Sequence, residues 1–312
     1  MSVKPVIVEV RLNELATRAR NANVPWTAQE IAADAHACWE AGASIVHFHV
    51  RQPDGSPAHD AELYGRAVEA IRQRCDVLIH PTLAGGQTPD PDARLAPLKY
   101  LCAQPATRPD FVPIDMGSTN LDAYDAVSRT YLTEHRVYAN SIATLRHFTS
   151  YVREERLMPM LCAWTVPCLR AIGAFMDAGW LDEPALVCIV LTEGGMMGGH
   201  PGTLEGLDSM LRFLPAVRDL QWSVCIREGN LFPLAGAIIA RGGHLSIGTG
   251  DYPYNELGQP TNAGLVRLLA DEAALQGRAL ATVAQTRGML ERQTKTGVQR
   301  DDLNGIQVGS RT

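Results

Sequence analysis

Strand-like and helix-like segments alternate eight times along the chain, and this predicts a (β/α)8 barrel. Two further observations support that fold. The strand segments are apolar along their length but end in polar residues, as barrel strands do where they reach an active-site face. The 312 residues also suit one barrel of roughly 250 residues plus insertions, with no Pro/Gly-rich linker dividing them.

The first strand is read over Val6 to Asn13, where Glu9, Arg11 and Asn13 alternate against Val8, Val10 and Leu12. Thr27 and Glu30 have the spacing of a capping box, opening a helix that runs to Ala41 and stops at Gly42. Ile45 to Arg51 then forms the second strand, completing a β-α-β unit. Helix 60–73 leads to strand 75–82, and helix 91–101 to strand 110–115. Helix Ser141 to Glu155 precedes strand 158–165, and helix Cys168 to Ala178 precedes strand 185–191. Helix 204–213 precedes strand 220–228, helix 232–240 precedes strand 244–248, and helix 262–275 follows. Residues 1–285 are therefore expected to form one barrel domain. The polar stretch 286–312 is expected to be an arm or tail of that domain.

A net charge of -6 without basic blocks gives no electrostatic footprint for nucleic acid or anionic lipid. No apolar run approaches the ~18 residues of a membrane helix, and the first residues lack an export signal's apolar stretch. A cytoplasmic location is expected. Seven cysteines without a CxxC pair argue for reduced core residues over a disulfide framework. The three lysines, Lys4, Lys99 and Lys295, all lie away from strand C-termini, which leaves a Schiff-base mechanism without a nucleophile.

His47, His49 and Arg51 fall on one face of the second strand, because side chains alternate along a strand. Two imidazoles two residues apart can hold a single cation; they can equally be hydrogen-bonded polar core residues. Asn13, Glu14, Thr82, Asp115, Ser118, Arg227, Glu228 and Asp251 stand at or just beyond other strand ends. Asp251 and Glu228 are candidate bases or metal ligands, or partners of Arg227 or Arg51. The segment from Gly194 and Gly195 to Gly199 offers backbone N–H groups to an anion, or is simply a flexible loop.

Asn23-Val24-Pro25-Trp26-Thr27-Ala28-Gln29-Glu30, EAGASIVHFHVR (40–51), GGMMG (194–198) and GGHLSIG (242–248) together resemble the β-keto acid cleavage enzymes. The resemblance runs from about residue 5 to about residue 285. It implies a zinc-dependent (β/α)8 enzyme, with another divalent metal as an alternative. The reaction implied condenses a β-keto acid with acetyl-CoA to give acetoacetate and a new CoA thioester. It further implies His47 and His49 as zinc ligands, Asp251 as a catalytic aspartate, Thr82 as a nearby hydroxyl, and a homo-oligomer, dimer or tetramer.

Family members usually close strand eight with arginine, glycine, one further residue and Glu-Asp. Here Ser246 stands for the arginine and Gly250 for the glutamate, and strand five carries Met160 and Cys162 where acidic residues are common. In a closed barrel strand eight neighbours strands one and seven, so Glu14 or Glu228 is expected to supply the third metal ligand. Arg11 or Arg227 is expected to replace the guanidinium. Metal is assigned to His47, His49 and Glu228. Catalysis is assigned to Asp251, Glu14, Thr82 and Arg227, and substrate binding to Asn13, Arg11, Arg51, Asp115, Ser118, Gly194 and Gly195. The altered polar set points away from the typical amino-keto acid. A metal-dependent hydrolase and a non-catalytic barrel that binds an acid metabolite are the competing readings.

Overall fold

The computed structural model describes residues 4–83 and 88–291. Its parallel strands are β1 (Val8–Arg11), β2 (Ile45–Phe48), β3 (Leu78–Pro81), β4 (Phe111–Asp115), β5 (Met158–Ala163), β6 (Ala185–Thr192), β7 (Leu220–Arg227) and β8 (His244–Ile247). They pair in the order β3-β2-β1-β8-β7-β6-β5-β4. The last seam, β3 to β4, is closed partly by a side chain. Asp110 N–H donates to the Ile79 carbonyl at 2.9 Å, and Ile79 N–H donates back to the Asp110 carboxylate at 2.9 Å. Arg72 and Arg287 in turn hold that carboxylate. The fold is the expected (β/α)8 barrel.

The surrounding helices are α1 (Ala28–Glu40), α2 (Ala61–Arg72), α3 (Pro91–Cys102), α4 (Ile142–Glu154), α5 (Val166–Asp177), α6 (Leu204–Leu211), α7 (Phe232–Ala240) and α8 (Asn262–Leu275). The capping box of α1 is present in full: Thr27 takes the Glu30 N–H, and Glu30 takes the Thr27 N–H. Such a cap stabilises a helix by about 1 kcal/mol. A ninth helix, α9 (Val283–Leu290), crosses the boundary expected at residue 285. Its Thr286 is buried and bonds Ser44, so the barrel extends beyond 285. The remainder of the expected arm, 292–312, lies outside the described residues. Among the described residues no helix is long and apolar enough to cross a membrane.

β1 and β2 end earlier than their alternation suggests, at Arg11 and Phe48. The segment after β8 pulls the chain aside. Thr249 and Asn262 both donate to the Leu12 carbonyl at 3.0 Å, and a side chain at Gly248 would collide with the Arg11 carbonyl. Leu12 onward is thereby drawn into a turn over the barrel mouth, and that turn presents Glu14.

Residues 119–138, between β4 and α4, form an excursion with two short antiparallel ladders. It docks on the glycine segment after β6: Tyr124 N–H reaches the Gly195 carbonyl at 2.8 Å, and the Thr119 hydroxyl reaches the Gly198 carbonyl at 2.6 Å. A Cβ at Gly195 would meet the Tyr124 carbonyl, and Gly195 has φ +81°. The glycines thus serve a close approach of two backbones. Gly195→Ala is expected to undock the excursion at a cost of about 1–3 kcal/mol. A lowered melting temperature, with new protease cleavage within 119–138, is the measurement.

Candidate active site

A cavity of about 570 Å3 opens among the strand C-termini, with Arg11, Glu14, His47, His49, Asp115 and Arg227 in its wall. Glu14 occupies a left-handed turn, φ 37°, and two neighbours clamp it. Asn13 donates to the Pro25 and His49 carbonyls and accepts the His49 N–H at 2.8 Å, which ties the turn to the end of β2. Arg51 gathers the carbonyls of Asn13, Glu14 and Ala16 at 3.2, 2.8 and 2.8 Å. Each such charge-assisted bond contributes about 1.5–3 kcal/mol, enough to hold a strained turn. Neither residue lines the cavity. Both tie the turn that carries Glu14 to the chain around it, Asn13 through His49 and Arg51 through three carbonyls.

Glu14 faces both histidines. Its Oε1 lies 3.1 Å from His47 Nε2, and its Oε2 lies 3.1 Å from His49 Nε2. His47 Nδ1 is 2.9 Å from the His80 carbonyl, which can only accept, so that nitrogen carries the proton. Burial pushes the His47 imidazolium down to about 4 against the pull of Glu14, so near neutral pH the ring is uncharged. Nε2 then presents a lone pair to a carboxylate oxygen. Burial alone would raise the Glu14 carboxyl, but Arg11, the two histidines and Arg227 hold it well below the usual range. Two acceptors facing one another in a buried place suit a cation between them, with Arg11 Nη2 flanking Glu14 Oε1 at 2.6 Å. Glu14, His47 and His49 accordingly form a group with metal-ligand spacing. Two imidazoles and a carboxylate are a donor set that zinc accepts.

Behind the triad, Arg11 and Arg227 share two carboxylates. Arg11 reaches Glu14 at 2.6 Å and Asp251 at 3.0 Å; Arg227 reaches the same pair at 3.1 and 2.9 Å. Burial opposes the charge of both guanidiniums, yet the two acids keep them protonated. Burial raises Asp251 to about 6, with Glu14 adding to the rise and Arg11 and Arg227 opposing it. Asp251 is 3% exposed and does not line the cavity. It pairs with both arginines. Both of the arginines expected to compensate for Ser246 are thus present at the site. Below them Glu9 bonds His80 and Ser246 at 2.5 Å each. Burial would raise Glu9, but the hydrogen bond and charge of His80, with Arg11 and His47, hold it at about 2.

Glu228, expected as a ligand, is instead bonded through both oxygens to Arg20, at 3.1 and 2.7 Å. Its backbone has φ 59°, and its N–H bonds the Asp251 carbonyl, which turns the side chain toward the rim. Among the described residues it joins neither metal-spaced group. Ser118 accepts the Asn140 N–H, Gly195 supports the docked excursion, and Gly194 packs against Glu228; none of the three lines the cavity. Thr82 and Asp115 do line it. Gly250 explains why strand eight carries no ligand: a Cβ there would lie 2.8 Å from Glu14 N and 2.9 Å from the Asn13 carbonyl carbon.

Trp164, Tyr138 and His59 are among the cavity residues not expected. Trp164 continues the inward parity of Met160 and Cys162, a signal the sequence does carry. Tyr138 lies in the excursion, where no periodicity marks it. His59 bonds the Arg94 carbonyl and lines the cavity.

A (β/α)8 barrel whose strand ends bring ionisable side chains together around one cavity belongs to the class of barrel enzymes. The pattern of the β-keto acid cleavage enzymes matches residues 5–291, and the chain belongs to that family. It is 27% identical over 277 residues to the 3-keto-5-aminohexanoate cleavage enzyme of Acetoanaerobium sticklandii, covering 88% of this chain and 93% of that one. It is 26% identical to the 3-oxoadipate:acetyl-CoA acetyltransferase of Cupriavidus necator, covering 92% of this chain and 95% of that one. Among solved structures, ObcA in a ternary complex with a C4-CoA adduct and oxalate superposes with a TM-score of 0.68 at 14% identity. That match covers 86% of this chain and 67% of ObcA, and it speaks for the fold.

Proposed function

We propose that this protein condenses a β-keto acid with acetyl-CoA, yielding acetoacetate and a new CoA thioester. The observation that carries the reading is the Glu14 carboxylate set 3.1 Å from Nε2 of both His47 and His49 at a cavity mouth, with two guanidiniums beside it. Glu14, His47 and His49 would hold a divalent cation, zinc by donor set. Such a cation supplies Lewis acidity that stabilises negative charge on a keto oxygen.

The cluster's ionised carboxylates, Glu9, Glu14 and Asp251, outnumber the guanidiniums of Arg11 and Arg227. A divalent cation reverses that balance and leaves room for one carboxylate of an incoming acid. Arg11 and Arg227 line the cavity and are placed to bind and orient that carboxylate. Glu14 is the carboxylate of the cluster that lines the cavity, and with its proton affinity held low by Arg11, the histidines and Arg227 it serves as a ligand. Asp251 keeps both guanidiniums aimed.

Names of the relatives support the reading, since one acts with acetyl-CoA on 3-oxoadipate and another cleaves a β-keto acid. We place the enzyme in the cytoplasm as a homo-oligomer, dimer or tetramer, in keeping with its resemblance to the family. Incubation with acetyl-CoA and a panel of β-keto acids tests the activity. Acetoacetate is expected only when both substrates are present. Exhaustive chelation should abolish it and added zinc restore it, at about one equivalent per chain. Full activity in chelated protein without bound metal would refute the proposal.

A further inference from the structure

We propose that Asp115 sets substrate specificity. Its carboxylate selects β-keto acids that carry a hydrogen-bond donor, a hydroxyl or an ammonium, at the end remote from the reacting carboxylate. It turns away acids with a second carboxylate there. The inference rests on the proposed function.

Asp115 is the last residue of β4, and the strand's alternation sends Pro113 and Asp115 into the cavity. The cation triad is built from β2 and the turn after β1, so β4 forms a different sector of the wall. Each Asp115 oxygen is fixed by one donor: Oδ1 by Trp164 Nε1 at 2.6 Å, and Oδ2 by the Tyr138 hydroxyl at 2.7 Å. A carboxylate accepts about four hydrogen bonds, so acceptor capacity remains after these two. Among the described residues no ion pair reaches Asp115.

Buried Arg94 approaches only through the Tyr138 hydroxyl, to which it donates at 3.1 Å. Arg94 is otherwise committed to the Leu83 carbonyl and Asn140, and it stacks over Phe148. Because Tyr138 accepts from Arg94, its one proton goes to Asp115, and burial with the adjacent carboxylate pushes the phenol well above its ordinary range. Asp115 is thereby kept acceptor-only. The same cavity also carries Leu83, Pro113, Leu121, Val137 and Trp164. A carboxylate held in place by two donors discriminates by leaving itself unpaired against a methyl group and by repelling an anion.

Arg136 and His135, from the excursion, line the same cavity, and they are the residues that would favour a remote carboxylate instead. The test separates the two arrangements. Zinc-loaded protein is titrated calorimetrically, without acetyl-CoA, with four β-keto acids of equal chain length bearing a terminal hydroxyl, ammonium, methyl or carboxylate. The hydroxyl and ammonium acids are expected to bind about tenfold or more tighter than the carboxylate acid, with the methyl acid between. Asp115→Asn should compress the series to within about threefold. Arg136→Ala should leave the order intact, which serves even if Asp115→Asn fails to fold. Tightest binding of the carboxylate acid, equal binding of all four, no binding of any, or an order erased by Arg136→Ala overturns the proposal. Acetoacetate formation, measured separately with acetyl-CoA, decides the proposed reaction, so specificity can fail while the activity stands.

Discussion

Glu14→Gln is expected to strip the protein of bound metal and of turnover together, while Glu228→Gln keeps both. Replacing a group that merely orients a ligand lowers metal affinity by about 10–100-fold, and loss of a direct ligand should exceed that range. Glutamine keeps the shape of Glu14 but removes the negative charge that faces His47 and His49, each at 3.1 Å. Elemental analysis of the two purified variants, beside acetoacetate production, makes the comparison. Metal retained in full by Glu14→Gln, or lost from Glu228→Gln, would return the third ligand to strand seven.

Asp251→Asn is expected to lower kcat by about 10–100-fold while metal content stays unchanged, because the residue acts through Arg11 and Arg227. The acidic limb of the pH profile identifies the role. Folding raises the Asp251 carboxyl from the ordinary aspartate range to about 6, with burial the largest cause. Below that pH the side chain is protonated and its grip on two guanidiniums weakens. Turnover of the native protein should therefore fall as pH drops through about 6 and level off above it. In the asparagine variant that limb should vanish, leaving uniformly low activity. An unaltered limb would assign the titration to another group.

The barrel was legible because its signals are local. Turn glycines, caps and apolar runs mark each β-α step, and even the polar alternation of Glu9 and Arg11 announced a charged interior. His47 and His49 were legible for the same reason, being two residues apart on one strand. What the sequence left undecided was which distant carboxylate meets them. Glu14 and Glu228 both follow strand ends, and their difference is made by left-handed turns and by Arg20, which lies 208 residues from its partner. Arg51 shares strand parity with the histidines, but β2 ends at Phe48, so parity no longer governs where it points. The excursion from 119 to 138 has no period at all, and with it Tyr138 was hidden. The glycines after β6 read as an anion cradle or a loose loop; at Gly195 and Gly198 the space a Cβ would need holds another backbone, a fact no local pattern carries.

The crowding around Gly250 bears on how such a centre can change over time. A glutamate grown from that position would enter the volume already filled by the turn bearing Glu14. The two sources of the carboxylate are mutually exclusive within this backbone. No single substitution can pass from one to the other through an intermediate that carries both. A designer placing the carboxylate at that position must rebuild residues 13–16 in the same stroke.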